Sequence, residues 1–152
     1  MLEEVDERRM SRKFNVKVRP HKGACIRDMY DHLNALLRKK PTYLILHVGT
    51  NDASKESTTS DMVYDELIHL KDYAESKVPG MKVIISCPVV RSDNKLANMK
   101  ILHVRNKLKR DGIKIINNEN VTYDHLGRRG LHLNRKGTSR LAMNMIACIQ
   151  RL

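Results

Sequence analysis

The chain has 152 residues, 41% hydrophobic and 30% charged, with only 4% aromatic and no tryptophan. That length fits one domain over residues 1–152 with a sizeable core, and the few aromatic rings argue against a surface that stacks nucleobases. Twenty-nine basic against 17 acidic residues give a formal charge of +12, a field that draws the protein towards nucleic acid or anionic membrane without specifying a fold.

From the N-terminus, Leu2 to about Lys13 is rich in Glu, Arg and Met and predicts a helix. "FNVKVRP" (Phe14 to Pro20) alternates apolar and polar residues, which predicts a strand stopped by Pro20. Ile26, Met29, Tyr30, Leu33, Leu36 and Leu37 then recur at helical spacing. "TYLILHVG" is continuously apolar, as in a strand buried on both faces. Ser60 or Asp61 is placed to cap a long helix carrying Met62, Val63, Leu67, Leu70 and Tyr73, which "VPGM" ends. "KVIISCPVV" predicts a third strand, "NKLANMKILHVRNKLKRDG" a helix closed by Gly112, and "IKIIN" a fourth strand. Asn134 is placed to cap the last helix, where Leu141, Met145 and Ile149 share a face. Alternating strands and helices predict a three-layer α/β fold with a parallel sheet.

Cys25, Cys87 and Cys148 lack paired spacing, and this predicts reduced thiols, Cys87 and Cys148 buried, in an intracellular, cytoplasmic setting. No apolar run reaches the roughly 18 to 20 residues of a membrane span. "MLEEVDERRM" is too charged for a secretory signal. His21, His32, His69 and His103 lack the spacing of metal ligands, so neither metal nor cofactor is expected. His47, inside an apolar strand, reads as a core histidine with its hydrogen bonds satisfied.

In a parallel sheet, sites form at the carboxyl ends of strands, and "YLILHVGTND" (Tyr43 to Asp52) delivers a polar cluster to such an end. Asn51 there carries a donor amide. Gly23, in "RPHKGAC", opens a turn where a backbone N–H is exposed, and His132, in "LHLNRKG", precedes the last helix. A donor amide, a glycine N–H and a histidine are the parts of an acyl-transfer site.

"HVGTND" together with "GLHLNRKGT" resembles the SGNH, or GDSL-type, hydrolase superfamily along nearly the whole chain. The resemblance implies a flavodoxin-like α/β/α fold and hydrolysis of esters or related acyl groups. It places Asn51 and Gly23 at the oxyanion-hole positions and His132 at the general-base position. "VKVRPHKGA", "ILHVGTND" and "LHLNRKGT" further resemble the esterase-like domains encoded by LINE-type retrotransposons.

Two parts of the family pattern are missing. The Gly-Asp-Ser block that ends the family's first strand is absent, so that strand is expected to be missing from the chain. Ser11, Ser54, Ser57, Ser60 and Ser86 stand where they do not replace its serine, and His132 is left with nothing to deprotonate. Arg129 stands three residues before His132, where the family has the aspartate of Asp-x-x-His. In serine-protease triads, losing that charge costs on the order of 10⁴ in rate, about 5 to 6 kcal/mol of barrier. Asp124 is a conceivable substitute acid. The expectation is an esterase-like domain that is inactive or nearly so. The alternative is a non-enzymatic nucleic-acid or protein-interaction module of a retroelement protein, using "RNKLKR" and "RRMSRK".

Overall fold

The computed structural model describes residues 5–152. Three strands form one parallel sheet in the order β1 (Tyr43–Leu46), β2 (Lys82–Ser86), β3 (Ile115–Ile116). Tyr43 pairs with Lys82 and Leu46 with Ile85, while Ile85 and Ser86 pair with Ile115 and Ile116. The helices are α1 (Met29–Leu37), α2 (Thr50–Ala53), α3 (Ser60–Lys77), α4 (Lys95–Arg110) and α5 (Arg135–Ile149).

The sheet divides the core because successive strand side chains point to opposite faces. Val83 and Ile85 share one apolar cluster with Leu33, Leu37, Val63, Leu67, Leu70, Val104 and Leu108, so α1, α3 and α4 cover that face. Ile84 and Ile116 pack on the other face with Leu141, Met145 and Ile149 of α5. Leu67, Ile84, Ile85 and Leu141 have no exposed surface, and each fully buried aliphatic side chain contributes about 1.5–3 kcal/mol. The three-layer α/β architecture read from the sequence is thus present.

Several local expectations are corrected. In place of an N-terminal helix there is one 3₁₀ turn at Glu7–Arg9, and Leu2 to Glu4 lie outside the described residues. Phe14 to Pro20 belongs to no ladder, so among the described residues there are three strands and not four. Its donors are committed locally. Ser11 Oγ accepts the N–H groups of Lys13 and Phe14 (3.1 and 3.0 Å), and a Glu7 carboxylate oxygen accepts that of Val18 at 2.6 Å. That bond holds the Glu7 carboxyl below its usual range, opposed next by burial and helped by the nearby Lys17 and Arg19. The alternation instead serves one-sided packing of Phe14, Val16 and Val18 on the α5 face, with Phe14 edge-to-face on Tyr43 at 5.8 Å.

The long helix is capped by Thr59, whose Oγ1 accepts from Met62 N at 3.1 Å, and not by Ser60 or Asp61. Asn134 does cap α5, accepting from Gly137 N at 3.0 Å. Cys87 is buried as expected, and Cys148 is half-buried. Among the described residues no helix is long and apolar enough to cross a membrane.

Candidate functional site

The structure brings Asn51 and Gly23 together past the carboxyl end of β1, while His132 lies in a separate loop. Past β1, Gly49 turns the chain into the short helix α2, which carries Asn51 and Asp52. Asn51 is half-buried, and its Nδ2 donates to the carbonyl oxygen of Ala24 at 3.1 Å. That places it beside Gly23, which is exposed at φ +74° with an N–H that has no protein acceptor among the described residues. An amide carries two N–H donors, so Asn51 retains one beyond its bond to Ala24.

Asp52, overlooked in the sequence, is what fixes this corner. It is 2% exposed, and both its carboxylate oxygens accept the N–H of Ile26, at 3.2 and 3.1 Å. Its backbone oxygen takes Thr58 Oγ1 at 2.7 Å. Burial pushes the Asp52 carboxyl up, opposed first by the Ile26 hydrogen bond and then by Lys55.

His132 lies in a second loop. It is exposed, as is Arg129, and its carbonyl oxygen accepts from Gly127 N at 2.7 Å. The loop is docked at Gly130, whose oxygen accepts from Ser92 N at 2.9 Å. Gly130 has φ +66°, and a Cβ there would overlap Ser92 Oγ and lie 3.0 Å from Asp93 N, so only glycine allows this approach. Ser92 and Asp93 thereby face the histidine loop. The Asp93 carboxyl is held below its usual range first by the Arg91 guanidinium, bonded at 2.8 and 2.7 Å, and lastly by the charge of His132. Asp93 thus lies in the segment that docks on the histidine loop, with its carboxylate bonded to Arg91. In the loop of Asp124, the sequence's candidate acid, the hydrogen-bonded atom is the backbone oxygen, which accepts from Asn134 Nδ2 at 2.9 Å.

Beneath the two loops runs a polar chain across the strand ends. His47 Nδ1 lies 3.0 Å from Ser86 Oγ, which also accepts from Asn118 Nδ2 at 3.0 Å. Asn144 of α5 donates to Asn118 Oδ1 at 3.0 Å and to Asn120 Oδ1 at 2.7 Å. Ser86 is thus structural, as expected. His47 departs from expectation, because its Nε2 is shut off from solvent with no partner among the described residues. Desolvation holds its pKa at about 4 against an ordinary 6.5. Between those values the unfolded chain binds a proton that the folded chain refuses, so stability falls as pH drops through that window. Fully developed, the loss is about 3 kcal/mol. His47→Asn should remove most of that slope in urea melts compared at pH 7 and pH 4.5. An unchanged slope would mean that other groups carry it.

The His21 and His32 rings, far apart in sequence, stack with centroids 3.8 Å apart. Desolvation, then the His32 charge, lowers the His21 pKa. No three His, Cys, Asp or Glu side chains among the described residues are grouped to hold a metal ion.

At the level of sequence, no family model and no curated protein matches the chain. Solved structures do. A lipase/acylhydrolase from Enterococcus faecalis superposes with a TM-score of 0.68 at 19% identity, over 85% of this chain and 72% of that one. A GDSL-like lipase from Bacteroides thetaiotaomicron gives 0.66 at 13% identity, over 85% and 72%. A carbohydrate esterase of family 3 from Talaromyces cellulolyticus gives 0.71 at 18% identity, over 86% and 69%. The sheet, its helical layers and these superpositions agree: the chain has the fold of the GDSL-type lipases and esterases.

Proposed function

We propose that this is an SGNH-type esterase-like domain, related to those of LINE-type retrotransposons and housed inside the cell, that does not turn over esters through residues 1–152 alone. In this reading Asn51 Nδ2 and the Gly23 N–H are the oxyanion donors and His132 is the general base. Arg129 occupies the position of the lost acid. The observation that carries the reading is the bond from Asn51 to Ala24. It sets the Asn51 side chain next to Gly23, whose N–H has no protein acceptor among the described residues, and two such donors are what stabilising a tetrahedral oxyanion requires. In this reading neither Ser54 nor Ser86 is the nucleophile, since Ser54 Oγ donates to the Asn51 carbonyl at 2.7 Å and Ser86 is buried.

The test is hydrolysis of p-nitrophenyl acetate by the chain alone and by the chain fused to a strand ending in Gly-Asp-Ser. The chain alone should match the buffer rate, with no change in His132→Ala. The fusion should gain at least about a hundredfold, and His132→Ala should remove that gain. Turnover by the chain alone that depends on His132 would overturn the inactive reading. A gain insensitive to His132 would overturn the assignment of the base.

The formal charge of +12 favours a second reading, a nucleic-acid-binding module. Binding to single-stranded RNA that weakens steeply with salt, without ester turnover in the fusion, would select it.

A further inference from the structure

The outer edge of β3 opens on a cleft of about 380 Å³ whose other wall is the C-terminal part of α5. Lys114 O and Ile116 O accept from Ile85 N and Cys87 N, so the backbone groups of those two residues face β2. Alternation along a strand turns the N–H and C=O of Ile115 the other way, into the cleft. Neither has a backbone partner among the described residues. Lys114 and Arg151 flank this edge, and neither has an acidic partner among the described residues. Both cations act on the Cys148 thiol in the wall, which burial nonetheless pushes up. No carboxylate lines the cleft. Asn117 adds a donor, since among the described residues its Oδ1 accepts from Glu119 N at 3.1 Å and its Nδ2 has no partner.

We infer that this cleft binds an extended acidic peptide, which adds to the open edge of β3 through Ile115 and sets its carboxylates against Lys114 and Arg151. An unpaired strand edge offers alternating donors and acceptors that match a peptide backbone, and flanking cations select the side chains. A single strand held by its bases would need stacking faces, and no aromatic residue lines the cleft. The inference does not depend on ester chemistry at Asn51 and His132.

The experiment uses the full chain and a fluorescein-labelled decapeptide of alternating threonine and glutamate, read by anisotropy. The double variant Lys114→Glu/Arg151→Glu should weaken binding by at least about tenfold. Arg38→Glu/Lys39→Glu makes the same charge change on exposed residues past α1 and should weaken it less than about threefold. Equal losses in the two variants would reduce the effect to net charge and overturn the inference. A decapeptide N-methylated at alternate residues should bind at least about tenfold more weakly to the unmodified protein. Undiminished binding of that peptide would exclude strand addition, and this comparison holds even if a charge variant fails to fold. Displacement of the acidic peptide by a thymidine decanucleotide of higher affinity would replace the peptide with a nucleic acid and also overturn it.

Discussion

Gly137→Ala is expected to cost about 3 kcal/mol of stability, as overpacking of a rigid site does. Gly137 lies in the first turn of α5, and an added Cβ would overlap the carbonyl oxygen of His125. It would also sit 3.0 Å from both His125 Cβ and Leu133 Cδ2. The carbonyl cannot simply retreat, because it accepts from Asn134 N at 2.9 Å. Asn134 in turn caps α5 and donates to Leu126 O at 3.1 Å, so moving one partner disturbs the helix start and the histidine loop together. Gly112→Ala is the comparison. Its Cβ would meet open space, and only the strain of φ +68° remains, worth about 1 kcal/mol. Urea melts of both variants measure the difference. A loss below about 0.5 kcal/mol in Gly137→Ala would show that this packing yields easily.

Asp52→Ala should cost a similar amount, about 3 kcal/mol, and Asp52→Asn about 1. The alanine leaves the buried N–H of Ile26 without an acceptor, and Ile26 itself is fully buried in the core. The asparagine keeps an oxygen for that N–H and removes a carboxylate whose ionisation burial already disfavours. The two variants together separate loss of the hydrogen bond from loss of charge. Because Asp52 sets the distance between α2 and the Cys25–Ile26 turn, the alanine should also free the Asn51 bond to Ala24. The Asn51 side-chain amide signals in a ¹⁵N–¹H NMR spectrum should then broaden or shift. Equal stability of all three proteins would remove Asp52 from the scaffold of this corner.

The apolar runs around Leu44 and Ile84 and the periodic faces of α3, α4 and α5 were legible in the sequence. Burial on both sides of a strand and on one side of a helix leaves a direct pattern in residue type. Asn134 was equally legible, because a capping side chain bonds within three residues of itself. The cap of α3 was displaced by one residue, since Thr59, Ser60 and Asp61 are all good caps and their local order does not choose among them. Phe14 to Pro20 failed for a different reason. Alternation records which side chains are buried, whereas a ladder needs a partner edge, and Glu7 takes the Val18 N–H instead.

By itself, the sequence determined the parallel α/β layers, because these follow from local periodicity, and short motifs marked Gly23, Asn51 and His132 as candidates. The tertiary structure alone decided what surrounds them. Asp93 reaches the histidine loop from 39 residues away, through a glycine that leaves no room for a side chain. His47 loses its second hydrogen bond only because the fold closes over Nε2. Such encounters depend on how distant segments dock, and no spacing along the chain encodes them.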